Sequence, residues 1–182
     1  MEAVRDASSV DWRPAIRAAL FIAVPAGLLS SWFSPLGILG LLWMATAAIW
    51  AVSNYVKRQR APWITMGAGA RIGLVTGLIA SWVAFLASGA DLFVERYLLH
   101  QGAAFDQLWE QMVSRSIAQQ VEAMSTNAEA LNQFKAFVLS PEGKAGMIFG
   151  GMLLLEVALL GFAVAGGAFG ARLIARTRRP QA

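Results

Sequence analysis

Four long apolar runs, separated by polar stretches, dominate the chain: approximately Ile16 to Phe33, Leu36 to Val56, Ile72 to Ala90, and Ala145 to Ala171. A bilayer core about 30 Å thick is crossed by roughly 20 apolar residues in a helix, because each backbone polar group left unpaired in hydrocarbon costs several kcal/mol. All four runs are of that order. The second and third contain no charged residue, the first only Arg17, and the fourth only Glu156. The pattern predicts an all-α, polytopic membrane protein with four transmembrane helices and an external amphipathic helical segment between spans three and four. The expected division is residues 1-15 as a cytoplasmic N-terminal segment and 16-90 as the first three spans. Residues 91-144 form the external segment, 145-171 the fourth span, and 172-182 a basic cytoplasmic tail.

Local signals mark where helices begin and bend. Ser34-Pro35 joins the first two runs, with Ser suited to cap a helix and Pro to its first position, where no N–H is needed; this predicts a tight helical hairpin. Ser140-Pro141 repeats the signal before the fourth run. Pro25, inside the first run, lacks the N–H of a continuous ladder and predicts a kink. Val24-Pro25-Ala26 also loosely resembles a signal-peptidase site, but Glu2, Asp6 and Asp11 are out of character for a basic leader.

Between runs three and four the apolar residues change spacing. Phe105, Leu108, Trp109, Met112, Val113, Ile117, Val121 and Met124 recur at intervals of three and four, one stripe on a helix of about five turns. Thr126 with Glu129 three residues later suggests a capping box for a second helix carrying Leu131, Phe134, Phe137 and Val138. Two readings follow. The pair covers the bundle in the headgroup layer, or Leu108, Trp109 and Met112 form a docking surface for another protein. Span three is expected to run on past Asp91, Glu95, Arg96 and Tyr97 to a stop near Gly102, which leaves His100 solvated or interfacial.

Composition agrees with the pattern: 57% of the 182 residues are hydrophobic and 14% charged, with no cysteine and one histidine. Disulfides, thiolate metal sites and cysteine nucleophiles are excluded. The net charge is +4 and the pI near 10.1, but the basic residues flank apolar runs and form no aromatic-interleaved patch, so nucleic acid is not an expected partner. Eleven of the fifteen Lys and Arg residues fall on one side of the alternating topology, and four (Arg96, Arg115, Lys135 and Lys144) on the other. By the positive-inside rule both termini and the Lys57 to Arg71 loop are cytoplasmic. Trp12, Trp32 and Trp63 fit an interfacial aromatic belt.

Glu156 is the one position that suggests chemistry. An ionisable group deep in a span costs at least ~2.5 kcal/mol on insertion scales and points to function. It shares a helical face with Ala163 and Gly167. Read functionally, it is a proton or cation site; read structurally, it is a carboxyl hydrogen-bonded to Thr46, Thr76, Ser81 or a backbone carbonyl. Arg71 leans toward its own helix N-terminus, away from Glu156, and is read as a snorkelling contact to lipid headgroups. Small residues at Gly69, Gly73, Gly77 and Ser81 form a helix-contact ridge, and a second set, Gly146, Gly150, Gly166 and Gly170, makes spans three and four the expected tightest pair. No HExxH, GxSxG or phosphate-loop signature is present, so neither an enzyme nor a cofactor is expected.

The run from Trp63 to Gly77, with its glycines around Arg71 and the Lys57 to Arg60 loop before it, resembles uncharacterised bacterial four-span inner-membrane proteins, some with an N-terminal zinc ribbon. This chain has no cysteine for such a ribbon. The resemblance implies a bacterial inner-membrane protein and no mechanism. Two functional expectations stand: an accessory, assembly or sensory partner, with membrane lipids and a protein partner or a second copy as its contacts, or a small oligomeric transporter or channel built on Glu156.

Overall fold

The computed structural model describes residues 8–31, 37–59, 64–123 and 128–177. They form helices α1 (Trp12–Leu29), α2 (Gly37–Gln59), α3 (Met66–Phe93), α4 (Gly102–Ala123), α5 (Ala128–Leu139) and α6 (Pro141–Thr177), with a π-helical segment, Val94–Leu98, prolonging α3. Four of them, α1, α2, α3 with its extension, and α6, are long and apolar enough to cross a membrane. The all-α reading therefore stands, with four candidate spans. Both Ser34-Pro35 and Thr126 lie outside the described residues, as do Trp32 and Trp63.

The chain divides into two compact units, Met1–Gly89 with Leu155–Ala182, and Ala90–Leu154. In the first, α1, α2, α3 as far as Gly89 and α6 from Leu155 enclose a core made largely of alanine: Ala19, Ala23, Ala26, Ala48 and Ala163 are fully buried, with Met44, Ile72 and Leu159 among them. Small side chains let helix backbones approach closely, which is how helices pack when no hydrophobic effect separates them from their solvent. Helix α1 runs through Pro25 to Leu29, and Val24, Pro25 and Ala26 are part of it. Its first turn is tied to the last turns of α2 by the Asp11 N–H, which donates to the Tyr55 hydroxyl at 2.9 Å. At the other end Ser30 packs against Gly40, so the two helices are antiparallel.

The second unit holds the end of α3, the π segment, α4, α5 and the start of α6. The π turn closes when Leu99 N–H donates to Val94 O and Gln101 N–H to Glu95 O, both at 2.9 Å, and His100 between them adopts a left-handed φ of 55°. Helix α6 starts at Pro141, as the Ser140-Pro141 signal predicts. Ser140 Oγ accepts from Gly143 N–H at 3.0 Å, and a side chain at Gly143 would strike the Phe137 carbonyl.

Candidate functional site

The glycines of α3 meet α6 in a regular register. A Cβ at Gly69 would lie 2.6 Å from the Ala171 Cβ, one at Gly73 3.1 Å from the Gly167 Cα, and one at Gly77 2.8 Å from the Ala163 Cβ. Position numbers rise by four on α3 as they fall by four on α6, so the helices are antiparallel and in backbone contact. The α6 residues that α3 meets are Ala163, Gly167 and Ala171, the first two on the face that carries Glu156. Gly166 and Gly170 instead press against Ala45 and Ile49 of α2. Gly146 and Gly150 lie in the other unit, and a Cβ at either meets nothing within 4 Å. The spacing of four picks out candidates but not the neighbour each one faces. Gly27, which would collide with Ala80 and Val83 of α3, stands outside any such repeat and is not evident from the sequence.

Continued one step, the same register brings Ser81 level with Leu159, about one helical turn from Glu156 on α6. Ser81 is 6% exposed, and its hydroxyl is the side chain that approaches the Glu156 carboxyl. The contact is not closed: neither Ser81 Oγ nor Glu156 Oε2 completes a hydrogen bond. The other hydroxyls are spent within their own helices, Thr76 Oγ1 donating to Ile72 O and Thr46 Oγ1 to Trp43 O, each at 2.8 Å. Arg71 is exposed and precedes Ser81 by ten residues, about 15 Å along the helix. Lying two residues from both Gly69 and Gly73, it occupies the side of α3 turned away from α6, so the structure does not bring it to Glu156.

In the second unit the stripe of α4 is split. Trp109 turns toward α5, where its Nε1 donates to Val138 O at 3.3 Å, while Leu108 and Met112 are 64% and 59% exposed. Trp109 therefore holds the helix pair together, and the outward surface consists of Leu108 and Met112. In the same unit, Lys144 Nζ and Asp106 Oδ1 form an ion pair at 2.6 Å. Lys144, and more weakly Arg96, hold the Asp106 carboxyl below the usual aspartate range. Phe134 and Phe137 of α5 are exposed. His100 is exposed as well, with Nδ1 3.2 Å from Leu98 O. Among the described residues no three His, Asp or Glu side chains are grouped so as to hold a metal ion.

No family model, curated protein or solved structure matches the chain. The functional reading rests on its own residues.

Proposed function

We propose that the chain is a multi-pass protein of a bacterial inner membrane, with both termini cytoplasmic, that works by association as an accessory, assembly or sensory partner of a larger system. One observation carries the reading. Helices α4 and α5 are not among the helices suited to cross a membrane, yet Leu108, Met112 and Phe137 are each about 60% exposed. Apolar side chains on a span face lipid at no cost; the same side chains on an amphipathic helix outside the spans call for cover, and a partner protein supplies it. Trp109 and Val138 make α4 and α5 a braced pair on which that surface is presented.

The test is a photo-crosslinker placed at Leu108 and at Met112 in native membranes. Crosslinks to one recurrent protein, lost when the neighbouring position is changed to Asp, support the reading. Crosslinks to lipid alone overturn it in favour of a helix pair lying in the headgroup layer.

The unsatisfied Ser81 and Glu156 oxygens favour a second reading, a small transporter. A carboxyl and a hydroxyl with open hydrogen-bonding capacity offer the chemistry of a proton or cation site. Proton flux through reconstituted protein, abolished by Glu156→Gln, supports this reading, and flux-free vesicles exclude it.

A further inference from the structure

The contacts between helices place four helix ends together. The start of α1 is bonded to the last turns of α2 through Asp11 and Tyr55, and Gly69 near the start of α3 abuts Ala171 near the end of α6. Helices α2 and α6 run parallel, since Gly166 meets Ala45 and Gly170 meets Ile49, so all four ends belong to one end of this unit. Seven cations gather there: Arg13 and Arg17 on α1, Lys57 and Arg58 on α2, Arg71 on α3, Arg172 and Arg176 on α6, every one exposed. Asp11 is the one carboxylate at that end among the described residues.

Two of these cations lie inside their helices instead of at the tips. Arg17 and Arg71 each follow the first residue of their helix by five positions, about 7.5 Å along the axis. Each also heads an exposed apolar track on its own face. On α1, Arg17 is followed by Phe21, Val24 and Leu28; on α3, Arg71 is followed by Leu74, Leu78 and Trp82, all exposed. Both tracks span eleven residues, about 16 Å, which is close to half of a hydrocarbon core about 30 Å thick. A guanidinium above an exposed apolar strip of one leaflet's depth matches one chemistry: a phosphate diester with acyl chains below it.

We propose that this end of the bundle binds anionic phospholipid, with the phosphate held by Arg17 or Arg71 and the acyl chains lying along the tracks beneath them. The proposal rests on the membrane-spanning reading. The surrounding cations raise the local potential for an anionic headgroup, and a zwitterionic lipid, carrying its own ammonium, gains little from it.

Protein reconstituted in nanodiscs of equal phosphatidylglycerol and phosphatidylcholine, then released for native mass spectrometry, tests the site. Phosphatidylglycerol is expected to be retained several-fold over phosphatidylcholine, and a basic residue near an anionic surface contributes about fivefold, so Arg17→Gln and Arg71→Gln should each reduce the enrichment by about that factor. Arg115→Gln, on α4, should leave it unchanged. Equal retention of the two lipids, or enrichment that survives in the double variant, overturns the proposal. So does displacement of the lipid by excess inorganic phosphate, which would reveal an anion site indifferent to acyl chains. Failure to enter nanodiscs at all would instead sink the membrane-spanning reading, a distinguishable outcome.

Discussion

Gly73 on α3 and Ala163 on α6 are so close that a Cβ on the glycine would run into the Ala163 carbonyl oxygen. The obstacle is backbone, which cannot rotate aside as a flexible side chain can. Gly73→Val should therefore force the two helices apart and destabilise the protein by about 1–3 kcal/mol, the range for overpacking a filled contact. Gly161→Ala, on the same α6 but with nothing within 4 Å of the added carbon, should shift stability by no more than about 0.5 kcal/mol. Thermal unfolding of detergent-solubilised protein, followed by circular dichroism, separates the two.

Ser81 and Glu156 face one another with unmade hydrogen bonds. Removing a polar group that has no partner relieves its desolvation cost and loses no bond, so Ser81→Ala should be neutral or stabilising by up to about 1 kcal/mol. Glu156→Gln keeps the shape and removes the possibility of ionisation, and the fold should tolerate it. The same melting experiment decides both: a strong loss of stability in Ser81→Ala would mean that the hydroxyl is bonded after all.

Asp106 is paired to Lys144 at 2.6 Å, and that hydrogen bond sets its carboxyl below the ordinary aspartate value of 3.8. A depressed folded-state value means that the pair's stabilisation is fully present above the unfolded-state value and lost as pH falls through the folded one. The ion pair is thus complete at neutral pH and is lost only as pH falls below the ordinary aspartate value. Carbon-13 spectra of aspartate-labelled protein should place the Asp106 midpoint below the ordinary value, and Lys144→Gln should move it back up. The group is largely solvated, so added salt should weaken the shift.

His100 ends the π extension of α3 with φ 55°, a conformation that disfavours a residue with a Cβ by roughly 1–2 kcal/mol. His100→Gly should relieve about 1 kcal/mol of it, while His100→Val should destabilise the turn. Hydrogen exchange at the Gln101 amide, which bonds to Glu95 O, reports the turn directly: slower in the Gly variant, faster in the Val variant.

Much of the architecture was legible from the chain alone. A helix fit to cross lipid must satisfy its own backbone and carry a long apolar stretch, a demand that each of the four candidate spans meets without reference to the others; hence the positions of α1, α2, α3 and α6. Ser140 and Pro141 likewise mark the start of α6 through purely local chemistry, a hydroxyl cap and an absent N–H. Helical spacing also showed that Glu156 shares a face with Ala163 and Gly167.

Tertiary structure alone decided which neighbour each face meets. Gly69, Gly73 and Gly77 were identifiable as a ridge, but a spacing of four carries no address, and only the antiparallel register pairs them with Ala163, Gly167 and Ala171 while turning Gly166 and Gly170 to α2. The packing of α3 on α6 put Ser81, not Thr46 or Thr76, near Glu156, and left Arg71 on the outer side. On α4, Trp109 and Leu108 are adjacent members of one apolar stripe, about 100° apart on the helix. That angle let α5 take the indole and left the leucine outside. Periodicity reports what a side chain is; the partner it meets is set by how helices cross, which depends on residues far away in the chain.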